Sequence, residues 1–189
     1  MPPDVHRYIN ATWILVGIYW AVTSLRAKAT VRRENYSSRV LHIAVMCVAF
    51  DLLFGSPRIG ALGFRFLPNG VSIAWAGLGL VIAGAAIAVW ARTMLGGNWS
   101  ATVALKQDHE FVRRGPYALV RHPIYSGFLL AIIGTALALG EVRGLVAFAV
   151  AFIGWAVKSA TEERFLVDQF DGAYIRYRAE VRRLIPFVY

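Results

Sequence analysis

Five stretches of this chain are long and apolar enough to dictate its architecture, and every polar residue must be fitted around them. Tyr8 to Leu25 runs 18 residues without a Lys, Arg, Asp or Glu, and Gly70 to Ala91 runs 22. Roughly 20 such residues cross a bilayer as a helix, so both are read as spans. Ile124 to Gly140 and Gly144 to Ala160 are separated only by Glu141, Val142 and Arg143, a link so short that they are expected to form an antiparallel helical hairpin. Val40 to Phe54 is the weakest of the five, at 15 residues with His42 and Asp51 inside it, and Gly55, Ser56 and Pro57 close it. The hydrophobic fraction of 58 % exceeds the roughly 45–50 % of soluble domains, and the mean hydropathy is +0.54. The expected fold class is therefore all-α: a polytopic membrane helical bundle with about five transmembrane helices, forming one integral membrane domain over 1–189. Residues 1–69 would hold spans one and two, and 70–189 spans three to five with an amphipathic tail. The first run is followed by further spans and lacks a small-residue cleavage pattern, so it reads as a retained span and not a cleaved signal.

Charge supports the weak second span. Short cytoplasmic loops carry the excess of Lys and Arg. With five spans the 20 basic residues divide 16 to 4: loop one, loop three and the tail hold 5, 5 and 6, against 1, 2 and 1 for the head, loop two and loop four. Without span two the division is 12 to 8. The expected topology thus places the N-terminus outside and the C-terminus in the cytoplasm, in the plasma or inner membrane if the chain is prokaryotic. The net charge of +9 is spread in blocks between apolar runs and forms no continuous stripe, which argues against nucleic acid as a partner. Cys47 is alone, so neither a disulfide framework nor a cysteine metal site is available, and no metal is expected; it reads as a small buried hydrophobe.

Two further patterns concern packing. Gly70, Ala74, Gly77, Gly84 and Ala88 fall on one face of span three, and small residues on one face let helices approach closely in lipid. Gly77-Leu78-Gly79 could alternatively touch a cofactor, but packing is the preferred reading. After span five, Tyr174, Tyr177, Val181 and Leu184 repeat at helical spacing opposite Arg176, Glu180 and Arg183, which suits a helix lying on the membrane, with Gly172 breaking it from the helix before. These arginines read as a solvated basic face drawn to anionic lipid.

The chemistry concentrates between His109 and Tyr125, where aromatic, cationic, imidazole and carboxylate groups crowd between two apolar runs. Polar groups against a membrane span are costly and mark a functional site by default. Tyr117, Arg121, His122, Pro123 and Tyr125 form one constellation; Pro123 starts span four and disfavours the helical region for His122. Lys158, Glu162 and Glu163 at the end of span five form the other. Lys158 and Glu162 are four apart on one helical face, where a cation and a carboxylate can pair or jointly grip a zwitterion. The plainer readings are snorkelling cations for Arg121 and Lys158, an aromatic belt for Tyr117 and Tyr125, and a structural hydrogen bond for His122. Against these, two carboxylates at a helix C-terminus oppose the dipole and call for a bound cation.

The ordered set Gly115-Pro-Tyr117, Arg121-His122-Pro123-Ile-Tyr125-Ser-Gly127, Glu162-Glu163, Tyr174-Ile-Arg-Tyr177 and Ile185-Pro186-Phe187 resembles the isoprenylcysteine carboxyl methyltransferase and phospholipid methyltransferase superfamily, over about the last 95 residues. The chain looks like a compact prokaryotic-type member. The resemblance implies a membrane bundle whose C-terminal half binds S-adenosylmethionine on the cytoplasmic side, with a lipophilic small molecule or lipidated substrate entering from the membrane lipid. Carried over residue by residue, His109, Glu110, Phe111, Val112, Tyr117, His122, Pro123, Ile124, Tyr125, Glu162 and Glu163 would bind the cofactor, Lys158 the acceptor, and Arg121, Glu162 and Lys158 would carry catalysis. Isoprenylcysteine enzymes tend to have arginine at the Lys158 position, and lysine lacks the planar fork that holds a carboxylate. Methylation of a prenylated cysteine carboxylate is the leading expectation and N-methylation of a phospholipid or other lipid amine the alternative. An NADPH-dependent membrane reductase, which shares the Arg-His-Pro element, and a non-enzymatic lipid-binding protein stand behind these.

Overall fold

The computed structural model describes residues 1–25, 30–33, 35–55, 60–99, 104–106, 111–186 and 188. Six α-helices form in order: α1 (Pro3–Ser24), α2 (Tyr36–Phe54), α3 (Val71–Leu95), α4 (Pro123–Leu139), α5 (Val142–Phe170) and α6 (Gly172–Glu180). A short antiparallel ribbon of β1 (Thr30–Arg33) and β2 (Ala104–Lys106) joins them, a small addition to an otherwise helical bundle. By length and composition, α2, α3 and α5 can each cross a membrane, and α4 is a shorter apolar helix of 17 residues. Outward surfaces of the bundle are apolar: Leu15 of α1, Leu41 of α2 and Ile153 and Val157 of α5 are all more than half exposed. Such exposure is unlike a soluble surface and fits a lipid-facing one. The chain is an integral membrane protein.

Helix boundaries follow local chemistry. The weak second span gains four residues at its start, because the Asn35 side chain accepts from the Ser37 N–H at 3.4 Å and caps the helix ahead of Val40. Its other end is held from across the bundle, where the buried Arg143 guanidinium donates to the carbonyls of Leu52 at 3.1 Å and Gly55 at 2.7 Å. A cation there satisfies orphan carbonyls and complements the dipole. Helix α3 continues past Ala91 to Leu95 and ends at Gly96, whose φ of 55° lies in the left-handed half of the map. The hairpin between α4 and α5 is two residues long, Gly140 and Glu141. Cys47 departs from expectation: it is exposed on α2, since a helix at the bundle's rim turns one flank to lipid.

The connections pair in a way that fixes their relative sides. Loop one meets loop three through the β1–β2 ribbon, and loop three meets the tail through a parallel bridge between Val120 and Arg182. Loop two meets loop four through Arg65 and Glu141, while Met1 and Pro2 share a small cavity with Arg65, Pro68 and Leu137. At the far end of α1, the Thr23 carbonyl accepts from Arg92 at 2.9 Å. Helix α1 therefore runs from one set of loops to the other. Removing α2 from the crossing helices would put loop one opposite loop three, which the ribbon forbids.

The core lies where α3 and α4 cross. A Cβ at Gly77 would strike the Gly134 carbonyl and one at Gly84 the Gly127 carbonyl, so the two helices touch backbone to backbone at sites seven residues apart on each. Gly79 has open space around it and takes no part. Helix α1 packs on α3 and reaches α4, where Trp13 donates to Thr135 at 3.1 Å, and α2 packs on α5.

Candidate active site

Pro123 opens α4, and His122 sits just ahead of it at φ −125°, ψ 62°, outside the helical region as the proline requires. Its N–H donates to the Arg183 carbonyl at 3.0 Å, and the Arg121 N–H to the Arg182 carbonyl at 2.8 Å. The tail after α6 thus lies as an extended segment against the start of α4. The surface helix expected through Leu184 stops at Glu180, and Pro186 accounts for part of this by disfavouring helix at Ile185. The break before α6 falls at Asp171, a non-glycine residue at φ 40°, with Gly172 opening the next helix. Tyr174 and Tyr177 are buried beneath the protein and do not face lipid. The Tyr177 hydroxyl donates to the Tyr117 carbonyl at 2.5 Å, fixing the 3-10 turn Gly115–Ala118.

Helix α5 is 29 residues, roughly 43 Å at 1.5 Å per residue, longer than the roughly 30 Å hydrocarbon layer. It carries Glu162 and Glu163 past the apolar run while remaining helical to Phe170, so they lie well before the helix end and the dipole does not oppose them. Their partners explain them instead. Glu163 is buried, 2 % exposed, among cations. Its Oε1 meets Arg121 Nε at 2.8 Å, His122 Nε2 at 3.2 Å and Arg183 Nε at 3.2 Å; its Oε2 meets a second Arg183 nitrogen at 3.2 Å and Arg178 Nε at 3.5 Å. Glu162, one residue earlier, points elsewhere and keeps 22 % of its side chain open. Tyr125 donates its hydroxyl to Glu162 Oε1 at 2.5 Å, and His122 Nδ1 lies 3.3 Å from Oε2.

Both ring nitrogens of His122 therefore face a carboxylate, and ionised carboxylates only accept. Burial alone would lower the imidazole's pKa, but the hydrogen bonds and charges of Glu162 and Glu163 override it and hold the pKa above its ordinary value. With a carboxylate at each nitrogen, the site favours the protonated ring. Burial also pushes the hydroxyls of Tyr117, Tyr174 and Tyr177 well above the usual phenolic range, so they are neutral donors.

From His122 a stack of rings descends into the apolar layer. His122 and Tyr125 are 5.6 Å apart and nearly parallel, Tyr125 and Trp155 5.7 Å, Trp155 and Phe128 5.7 Å, and Phe128 then meets Trp13 and Trp20 of α1. Lys158 Nζ stands 5.9 Å from the Tyr125 ring centre. Val112, Tyr117, Ile124 and Tyr125 gather in one apolar cluster with Ala91. Pro123 is fully buried at the helix start. Phe111 stacks on Phe170 at 5.2 Å and touches Tyr174 and Tyr177, so it locks the tail. His109 and Glu110 lie outside the described residues. Arg121 is engaged with Glu163 and the carbonyls of Arg178 and Val181, which places it at the tail. Sequence reasoning read Arg183 as a solvated surface charge and missed Arg178 and Trp155: contacts 15 and 20 residues apart between α5 and the tail leave no spacing signal.

Residues 77–168 match the model of the isoprenylcysteine carboxyl methyltransferase (ICMT) family. A probable protein-S-isoprenylcysteine O-methyltransferase of Oryza sativa subsp. indica is 31 % identical over 162 residues, 82 % of this chain and 84 % of that protein. The protein-S-isoprenylcysteine O-methyltransferase of Saccharomyces cerevisiae is 37 % identical over 114 residues, 58 % of this chain and 47 % of that one. The solved eukaryotic intramembrane Ras methyltransferase ICMT shares the fold, with a TM-score of 0.53 at 24 % identity, over 82 % of this chain and 54 % of that chain. The chain thus spans nearly all of the rice relative and about half of the yeast protein and of the solved one. A membrane bundle with an ionic cluster at the interfacial end of α4 and α5 and matches of this extent lead to one conclusion: the chain is a methyltransferase and belongs to the isoprenylcysteine carboxyl methyltransferase family.

Proposed function

We propose that this protein transfers a methyl group from S-adenosylmethionine to the carboxylate of a prenylated cysteine or a similar lipidated acid, at the cytoplasmic face of the membrane. The observation that carries the reading is the split between two adjacent carboxylates: Glu163 is consumed by arginines, whereas Glu162 stays partly open beside Tyr125 and Lys158.

The residues fit such a donor. S-adenosylmethionine, when bound, supplies an electrophilic methyl on a sulfonium, along with an ammonium, a carboxylate and an adenine. Glu162 offers a fixed negative group to a cation, Tyr125 and Tyr117 offer aromatic surface, and the Val112–Ile124 cluster offers an apolar wall. The His109-Glu110-Phe111-Val112 segment is assigned to the same site by resemblance. Lys158 pairs with the acceptor's carboxylate as a point charge, and the Trp155–Phe128 stack lies beside the path of its apolar chain. Arg121 and Glu163 are positioning residues that hold His122 and the tail. Residues 70–189 carry this machinery, and 1–69 supply α1 and α2 as scaffold.

His122 decides between acceptors. An amine must lose a proton before it attacks, which calls for a base. Both ring nitrogens of His122 are engaged by carboxylates, and Glu162 is already held by Tyr125 and His122. A carboxylate is ionised at neutral pH and needs none. With the donor bound, the carboxylate oxygen would take the methyl while the C–S pair went to sulfur and both charges were neutralised, so the contribution asked of these residues is positioning in a dry site.

Calorimetric titration of the detergent-purified protein with S-adenosylhomocysteine tests the donor, with NADPH as the competing ligand; binding of NADPH alone overturns the reading. Labelled methyl transferred to an S-prenylated cysteine is expected to be released by mild base, as an ester is. Retention after base would move the acceptor to an amine.

A further inference from the structure

Beside the Glu163 hub lies a cleft of about 630 Å³ between the end of α5, α6 and the extended tail. Four arginines line it, Arg121, Arg178, Arg182 and Arg183, together with apolar side chains that include Ile175 and Val188; among the described residues no acidic one is in the lining. Arg121, Arg178 and Arg183 all meet the carboxylate of Glu163, as His122 does, and among the described residues no carboxylate pairs with the Arg182 side chain. Glu180, the acidic residue of α6, is taken by Arg113 at 2.5 Å and turns its charge away from the cleft.

The rim is apolar where a soluble anion site has no need for it to be. Ile175 is 52 % exposed and Val188 73 % exposed, with Ile185 beside them at 41 %. These residues stand next to α5 where it leaves the apolar layer. Guanidinium groups hold phosphate oxygens through paired N–H donors, and exposed aliphatic side chains at an interface insert among acyl chains. Anionic lipid adds about 1 kcal/mol for each basic residue near the surface.

We infer that the Arg178–Arg182 cleft is a binding site for the headgroup of an anionic phospholipid from the same bilayer leaflet. Arg182 and Arg178 hold the phosphate, and Ile175, Ile185 and Val188 sit against the acyl chains. A phosphate in this position adds a counter-charge beside Glu163, so lipid binding tightens the tail against His122. The site thereby couples membrane composition to the order of the catalytic cluster. It does not depend on which molecule donates the methyl group.

The test uses the purified full-length protein in neutral detergent. Thermal midpoints are measured with short-chain phosphatidylglycerol, short-chain phosphatidylcholine or inorganic phosphate, for wild type, Arg182→Gln and Arg182→Lys. Phosphatidylglycerol alone is expected to raise the midpoint. Its apparent affinity should fall about tenfold in Arg182→Gln, the loss of one charge-assisted contact, and recover in part in Arg182→Lys. Equal shifts in wild type and Arg182→Gln overturn the inference, and so does a full effect from inorganic phosphate. Titration of each variant with S-adenosylhomocysteine runs alongside. Unchanged cofactor binding in Arg182→Gln is expected, and its loss would assign the cleft to the methyl donor instead. A lipid effect without any S-adenosylhomocysteine binding to wild type would leave this inference standing and remove the donor reading.

Discussion

At the scale of single residues, two adjacent glutamates with the same chemistry have been given different tasks by their surroundings. Glu163 compensates Arg121, Arg183, Arg178 and His122 in a buried setting, so Glu163→Gln leaves cations there without a counter-ion. Breaking a buried pair from one side costs about 3 kcal/mol or more, and a large fall in thermal midpoint is the expected result. Glu162→Gln keeps a partner for the Tyr125 hydroxyl and should lower the midpoint less than Glu163→Gln does, while weakening S-adenosylhomocysteine about tenfold by the loss of a charged contact. A calorimetric and a thermal measurement on both variants separate the two roles; equal effects of both variants on both readouts would contradict the division. His122 adds a pH signature. Its folded pKa is raised above the ordinary value of 6.5, so its stabilising contribution is complete below that value and is lost as pH climbs through the folded pKa. The wild-type midpoint should therefore decline as pH rises above about 6.5. In His122→Asn that component of the slope should vanish.

At the scale of elements, the contact between α3 and α4 is made by glycines, and its cost of disruption is set by backbone against backbone. Gly84→Val places carbon on the Gly127 carbonyl and should destabilise the detergent-solubilised protein by about 1–3 kcal/mol, whereas Gly79→Ala has open space around it and should be neutral or slightly stabilising. A cofactor-contact role for Gly79 would instead appear as lost S-adenosylhomocysteine binding in Gly79→Ala. This face was legible in the sequence because small residues at helical spacing have few other uses in lipid. The spans were legible for the same reason, since membrane thickness sets their length. The start of α2 was not: Tyr36, Ser37, Ser38 and Arg39 are polar residues that follow a cap, and an apolar-run criterion passes over them. The tail misled in a different way. Tyr174 and Tyr177 do share a helical face, but the contacts that bury them come from Phe111 and Tyr117, some sixty residues earlier. Pro123 and the Lys158–Glu162 spacing pointed to the two halves of the site; that His122 lies between both carboxylates is a fact of packing with no trace in the spacing of either half.

At the scale of the whole molecule, the internal contacts sort the connections into two groups, and the distribution of charge predicts which group faces the cytoplasm. Loop one, loop three and the tail are tied together by the β1–β2 ribbon and the Val120–Arg182 bridge; loop two, loop four and the N-terminus gather at the other end. The first group holds 16 of the 20 basic residues. Basic loops are retained on the cytoplasmic side during insertion, so the ionic cluster around His122 and Glu162 should open toward the cytoplasm, where soluble methyl donors are found. Cys47, the single native cysteine, is exposed on α2 and has to be removed before single-site labelling is clean. In a Cys47→Ser background, Arg176→Cys on α6 and Ala61→Cys in loop two are both exposed positions at opposite ends of the bundle. With a membrane-impermeant maleimide applied to intact cells, Ala61→Cys should react and Arg176→Cys should be protected until the membrane is opened. The reverse pattern would invert the protein and place its ionic cluster outside. Labelling of both positions from one side would be more serious, because it would require an even number of crossings between residues 61 and 176, which the antiparallel α4–α5 hairpin and the single crossing of α3 do not allow.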